Sequence, residues 1–201
     1  TQAVSGQVAP TADSLVISLD DGTNSASKTI KIYTNPANDF PTIATPVTAV
    51  RIFEDESLSL SGVISVEDVD DTILTLSLGC LRGIVRFDEE WMDLNLDLNL
   101  LSITGGAAST SSVSVRGEIG VLNDLLSKAS YSPGANYNGN EQLTVTAADN
   151  SGGVNIEYIN VIVVAVNDGP TILAPSAILA NSNVETLLNG ITVVDVDVGE
   201  R

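Results

Sequence analysis

Short runs of alternating apolar and polar residues recur along this chain, each closed by Asp, Asn, Gly or Pro. Period-two alternation marks a strand with one buried face, and those closing residues favour turns. Residues 14–20 and 28–34 read as a strand pair around Asp20-Asp21-Gly22, after a polar loop over residues 1–12. Residues 42–50 form a loose strand, Glu54-Asp55-Glu56 an acidic turn, 58–66 an alternating run, and 68–71 a second acidic turn. Strands follow at 73–78 and 83–87. Leu94, Leu96, Leu98 and Leu100 alternate with Asn95, Asp97 and Asn99, which predicts another strand. Residues 105–112 are small and polar, a loop; 113–115 are a strand; 121–126 are one helical turn. A turn-rich stretch at 131–139 precedes a closing pair at 143–148 and 156–166. Many short strands at this spacing predict an all-β, seven-stranded Greek-key sandwich.

The pattern repeats. Asn38-Asp39-Phe40-Pro41 and Asn167-Asp168-Gly169-Pro170 each follow an apolar run and precede Thr-Ile, with Asp39 and Asp168 129 residues apart. Asp20 and Asp149 share that spacing, as do Ile30 and Ile159. After the boundaries come Leu60-Ser61-Gly62 with Asp68-Val69-Asp70, then Leu188-Asn189-Gly190 with Asp195-Val196-Asp197, the later copy being two residues shorter. Fixed-period repetition marks tandem modules. The chain reads as the last part of one module at 1–40, a whole module at 41–168, and the first part of another at 169–201.

Composition narrows the chemistry. With 8 Lys+Arg against 26 Asp+Glu the formal net charge is −18, which opposes nucleic acid and anionic membranes as partners. A hydrophobic content of 43% supports a core rather than an acidic disordered chain. With no His and one Cys, Cys80, the chain lacks the residues for a Ser-His-Asp triad, a Cys-His pair or a thiolate zinc site. Cys80 reads as a small buried hydrophobe. The longest apolar run, 161–166, is too short to span a bilayer. Carboxylate pairs alone do not make a glycosidase, and aromatics at 4% suggest no sugar cleft, so no catalysis is expected.

Tyr131-Ser132-Pro133, Asn136-Tyr137-Asn138-Gly139, Leu143-Thr144-Val145, Asp149 and Val166-Asn167-Asp168-x-Pro170 together resemble the cadherin-like repeat of large surface and adhesion proteins. The resemblance covers 41–170. At 129 residues the module exceeds the ~100 of a seven-strand sandwich, and the surplus is expected between Phe87 and Ser112. The resemblance implies an extracellular or cell-surface location and a calcium-stiffened rod used in adhesion or in a fibre.

An odd number of strands places the two chain ends at opposite poles of the module. Asp68, Asp70, Asp71 and Asp149 then face the upstream linker, Asn38 and Asp39. Glu54, Asp55 and Glu56 face the downstream linker, Asn167 and Asp168, where the next module brings Asp195 and Asp197, and of the three Glu54 and Glu56 are the expected ligands. Clustered carboxylates repel unless protonated or neutralised. Ca2+ accepts 6–8 oxygens at ~2.3–2.6 Å from carboxylates, amides and backbone carbonyls, whereas Mg2+ demands a tighter octahedron. Ca2+ is therefore the expected cofactor. Asp93-Leu94-Asn95-Leu96-Asp97 mimics the start of an EF-hand loop but has Leu98 where Gly is needed.

The sequence thus predicts an extracellular structural or adhesive repeat protein. Its partners would be neighbouring repeats, and beyond them either a protein or glycan ligand or further copies of itself. The alternative is a filament or surface-appendage subunit assembled by module contacts without calcium.

Overall fold

The structure is a computed structural model and describes residues 11–34, 37–98, 100–107 and 109–197. Expectations for residues 1–10 lie outside that range, whereas Thr11 already begins a strand.

Strand β1 (Thr11–Asp20) pairs antiparallel with β2 (Ser25–Thr34) as a separate hairpin. The central module opens with β3 (Thr42–Ala44), β4 (Val50–Phe53), β5 (Leu58–Ser59) and β6 (Ser65–Glu67). Then come β7 (Ile73–Gly79) and β8 (Gly83–Arg86). Helix α1 (Glu89–Asp97), β9 (Leu101–Gly105), β10 (Ser109–Thr110), β11 (Ser112–Glu118) and helix α2 (Ile119–Ser127) follow. The module closes with β12 (Ser130–Pro133), β13 (Gly139–Ala148) and β14 (Val154–Val164). Beyond it, β15 (Thr171–Leu173) pairs with β16 (Thr192–Val194).

The sandwich has one sheet ordered β4-β14-β13-β7-β11-β9 and a second ordered β10-β8-β12-β5, with β3-β6 as a short pair. The expected all-β sandwich is what the structure shows for the central module. Alternation does the work: in β7, Leu74, Leu76 and Leu78 are buried while the residues between them are half-exposed. Leu143, Val145 and Ala147 of β13 and Ile159, Val161 and Val163 of β14 are buried on the same inner face, with Leu143 opposite Ile159. Tyr131 is the largest fully buried side chain, and its hydroxyl donates to the Arg82 carbonyl at 2.7 Å.

The leucine alternation misleads. Residues 89–97 form α1, not a strand. Asp88 caps it, its side chain accepting from the Trp91 N–H, with Glu89 and Glu90 in the first turn. Met92 and Asn95 are buried, three residues apart, while Leu94 and Leu98 are each 59% exposed. A helical period with an N-cap therefore overrides a period-two leucine pattern. The polar stretch expected as a loop at 105–112 carries β10 and the ends of β9 and β11. The helical turn expected at 121–126 is the nine-residue α2, which buries Leu122, Leu125 and Leu126. Its Asn123 accepts from the Val66 N–H and donates to the Val66 carbonyl, both at 2.9 Å, so one side chain replaces a strand partner for β6.

These elements also relocate the surplus residues. A seven-strand frame is complete with β3/β4, β5/β6, β7, β8, β12, β13 and β14. The extra segment is everything between β8 and β12. It ends at α2 rather than at Ser112, because β11 joins the edge of the large sheet beside β7 and draws α2 with it. Among the described residues no helix is long and apolar enough to cross a membrane.

Candidate metal centre

The acidic turns converge at the two module junctions. Upstream, the Asp39 N–H donates to Asp70 Oδ2 at 2.7 Å, and Asn38 Nδ2 donates to Asp149 Oδ2 at 2.8 Å. Asp68 Oδ1 accepts from the N–H groups of Asp70 and Asp71, an Asx turn that fixes three carboxylates in one loop. Asp71 is buried, and its Oδ2 accepts from the Asn150 N–H at 3.3 Å. The loops after β6 and after β13 therefore meet the linker, as the strand count requires.

Downstream, buried Glu54 accepts from the Val166 N–H. The Asp168 N–H donates to Asp197 Oδ2, and Asp195 Oδ1 accepts from the Asp197 N–H at 3.0 Å. Asn167 donates to the Asp168 carbonyl at 2.7 Å. Glu56 is exposed and is not among the carboxylates whose charge bears on Asp168. Its neighbour Asp55 is among them. Asp55 sits at φ 61°, in the left-handed region, and its Oδ1 accepts from the Asn136 N–H at 3.2 Å.

The electrostatics differ between the linkers. Asp168 is pushed above the usual carboxylate range, first by desolvation and then by the negative charges of Asp197, Asp55, Glu54 and Asp195. Asp149 is held below it. Burial there acts in the opposite direction, but hydrogen bonds from Asn38, Gly153 and Ser151 outweigh it. One oxygen at each junction is orphaned: among the described residues Asp68 Oδ2 and Asp168 Oδ2 are buried with no hydrogen-bond partner. Among the described residues no three carboxylates close on a single point as a ready-made cage.

The repeat is structural as well as sequential. Thr42 opposes Glu67 across β3-β6, and Thr171 opposes Val194 across β15-β16. Asn183 at φ 60° occupies the turn position of Asp55, so Ser182 stands where Glu54 does. Register also corrects one pairing. The turn after β1 holds four residues, 21–24, and the turn after β13 holds five, 149–153. Asp149 therefore matches Asp21, not Asp20. The Asp149 N–H donates to the Gly153 carbonyl and the Asp21 N–H to the Asn24 carbonyl. Both side chains accept backbone N–H groups of their own turn, and both are shifted downward, Asp21 chiefly by the Asn24 N–H.

Two features of this region carried too little sequence signal to find. A Cβ on Gly153 would fall 2.2 Å from Asp149 Oδ2, 2.9 Å from Phe40 Cδ1 and 3.1 Å from Asn38 Nδ2, so only glycine admits the linker. Away from the junctions, buried Glu141 accepts from the N–H groups of Leu81, Arg82 and Gln142, pinning the β7–β8 turn. Arg82 stacks over Tyr137 at 5.3 Å. Burial raises the Cys80 thiol to about 11, with the Glu141 charge adding to it, which makes it a poor nucleophile.

No known family and no curated protein matches the sequence. Among solved structures the chain is similar to the protocadherin gammaB7 EC3-6 cis-dimer structure, at 16% identity and a TM-score of 0.32. The match takes in 92% of this chain and 42% of that one, so this chain spans less than half its length. At that TM-score the likeness adds nothing to the fold, which rests on the sheets described above.

Proposed function

We propose that this chain is a stretch of an extracellular, cadherin-like rod whose module junctions bind Ca2+ and so resist bending. The reading rests chiefly on the orphaned oxygens of Asp68 and Asp168, one at each junction and each among further carboxylates. A buried anionic oxygen without a hydrogen bond is costly unless a cation faces it. Upstream, Asp39, Asp68, Asp70 and the Asn38 amide would hold the ion. Downstream, Glu54, Asp168, Asp195 and Asp197 would do so, with Asp55 close by. The ion would supply positive charge and a common ligand for loops of successive modules. In tandem repeats each unit contacts mainly its neighbours, so the junction sets stiffness. Adhesion or fibre formation, with a protein or glycan as ligand, is the role such a rod would serve.

Thermal unfolding with Ca2+, with Mg2+ and with chelator tests this. Saturating ligand stabilises the native state by RT ln(1 + [L]/Kd), about 2.7 kcal/mol at a hundredfold excess over Kd. A rise in melting temperature with Ca2+ that Mg2+ does not match is the expected result. Equal melting in all three would sink the calcium sites and leave a metal-free module array.

A further inference from the structure

The outer face of the large sheet of the central module carries an apolar strip that the repeat does not require. Val154, Ile156 and Tyr158 alternate along the first half of β14 and are 47–49% exposed. The outer-face positions beside them on β13 and β7 are all Ala, Thr, Ser or Gly. In the repeat β2 is the counterpart of β14, with Ile30 matching Ile159, and it carries Ser25, Ser27 and Thr29 at the three places. Along the same residues the edge of β14 is open. β4 pairs only with residues 161–164, so among the described residues 154–160 have β13 as their only sheet neighbour.

We infer that two copies of this chain associate side by side through this edge, residues 154–158 of each adding antiparallel to the other about a two-fold axis at Ile156. Charge and register point to a second copy as the occupant. At a net charge of −18 the chain meets its own copy at least cost where its surface is uncharged, and the strip and its outer-face neighbours carry no charge. Centred on Ile156, the pairing sets Val154 against Tyr158 of the second copy, Ile156 against itself, and half-buried Glu157 against Asn155. Centring on Glu157 would place like charges directly opposite, which destabilises a ladder. Centring on Asn155 would set Tyr158 against Gly152 and leave it no apolar mate. Strand addition to an open edge gives affinity through the backbone and specificity through alternate side chains. The same patch serves both copies, so the contact is isologous and closes as a dimer. The junction carboxylates take no part, so measurement in chelator separates its failure from failure of the calcium reading.

The test is sedimentation of the 201-residue chain with chelator present, as wild type and as Ile156→Lys. Wild type is expected to show a concentration-dependent dimer. Ile156→Lys brings two positive charges together on the axis and is expected to weaken the dimer at least about tenfold. Its melting temperature should be unchanged, because Ile156 is 47% exposed. A second pair of variants fixes the register. Directly opposite Cα atoms in an antiparallel ladder lie about 4.5–5.5 Å apart, within reach of a disulfide. Ile156→Cys is therefore expected to cross-link to its copy under oxidised glutathione, while Leu94→Cys, equally open to solvent on α1, is not; buried Cys80 is common to both. A wild type that stays monomeric, an Ile156→Lys chain that associates as tightly as wild type, or cross-linking no faster at 156 than at 94 would each overturn the inference.

Discussion

The Asp168 N–H donates to the Asp197 carboxylate as the Asp39 N–H donates to that of Asp70, so both linkers are tied to the Asp-x-Asp loop that follows them. In each loop the first Asp side chain accepts from the N–H of the second, at 2.8 Å for Asp68 and 3.0 Å for Asp195. The junction is thus one device used twice, built from a turn that orders its own carboxylates before any partner arrives.

That arrangement predicts opposite outcomes for Asp168→Asn. Without divalent cation, removing one charge from the group formed with Glu54, Asp55, Asp195 and Asp197 should raise the melting temperature at pH 7. With Ca2+ the variant should lose most of the calcium-dependent increment. Melting curves of both proteins in both conditions decide it; a variant that keeps the full increment would remove Asp168 from the ligand set.

Acid titration separates the two junction carboxylates. The Asp149 pKa is lowered by folding, so its stabilisation is complete above its unfolded value near 3.8 and is lost as pH falls through the lower folded value. The Asp168 pKa is raised, so its penalty is full at neutral pH and is relieved as pH falls through the folded value toward 3.8. Cation-free stability should therefore rise slightly on mild acidification before it collapses, and Asp168→Asn should abolish the early rise. Urea midpoints measured across acid pH would show a monotonic fall if this assignment is wrong.

Gly153→Ala tests the close approach at the upstream linker. Its added methyl would have to displace the Asp149 carboxylate and the Phe40 ring. A loss of about 1–3 kcal/mol is expected, together with weaker calcium dependence. The matched control is Gly120→Ala, where a Cβ meets nothing within 4 Å. Similar stability for the two variants would refute the account.

The β7–β8 turn gives a prediction independent of metal. Glu141→Ala strips three backbone N–H groups of their charged acceptor and should cost about 2–4 kcal/mol. Tyr131→Phe removes a single hydrogen bond to the Arg82 carbonyl and should cost about 1 kcal/mol. Denaturant unfolding of both variants checks the ranking.

Helix α1 makes a last distinction. Met92→Ala should cost about 2–5 kcal/mol because the side chain is 1% exposed, whereas Leu94→Ala should change stability by less than about 0.5 kcal/mol. A strand over these residues would put the alternate leucines inside instead, and Leu94→Ala would then be the damaging change.

Alternation alone sufficed for β7, β13 and β14, because a strand with one buried face needs nothing beyond period two to declare itself. The repeat of Asn-Asp-x-Pro and Asp-x-Asp likewise placed Asp39 beside Asp70, and Asp168 beside Asp197, since module order and strand parity fix which turns share a pole. Tertiary structure decided the rest. The leucines at 94–100 satisfied a strand pattern, but the Asp88 cap and the site under Met92 made a helix more stable. Asp21 rather than Asp20 matches Asp149 because cross-strand pairing counts the residues in each turn, which spacing along the chain cannot do. Gly153 matters through the linker folded against it, and Glu141 through N–H groups some sixty residues earlier in the chain. Long-range contacts of that kind leave no local periodicity, so only the folded chain reveals them.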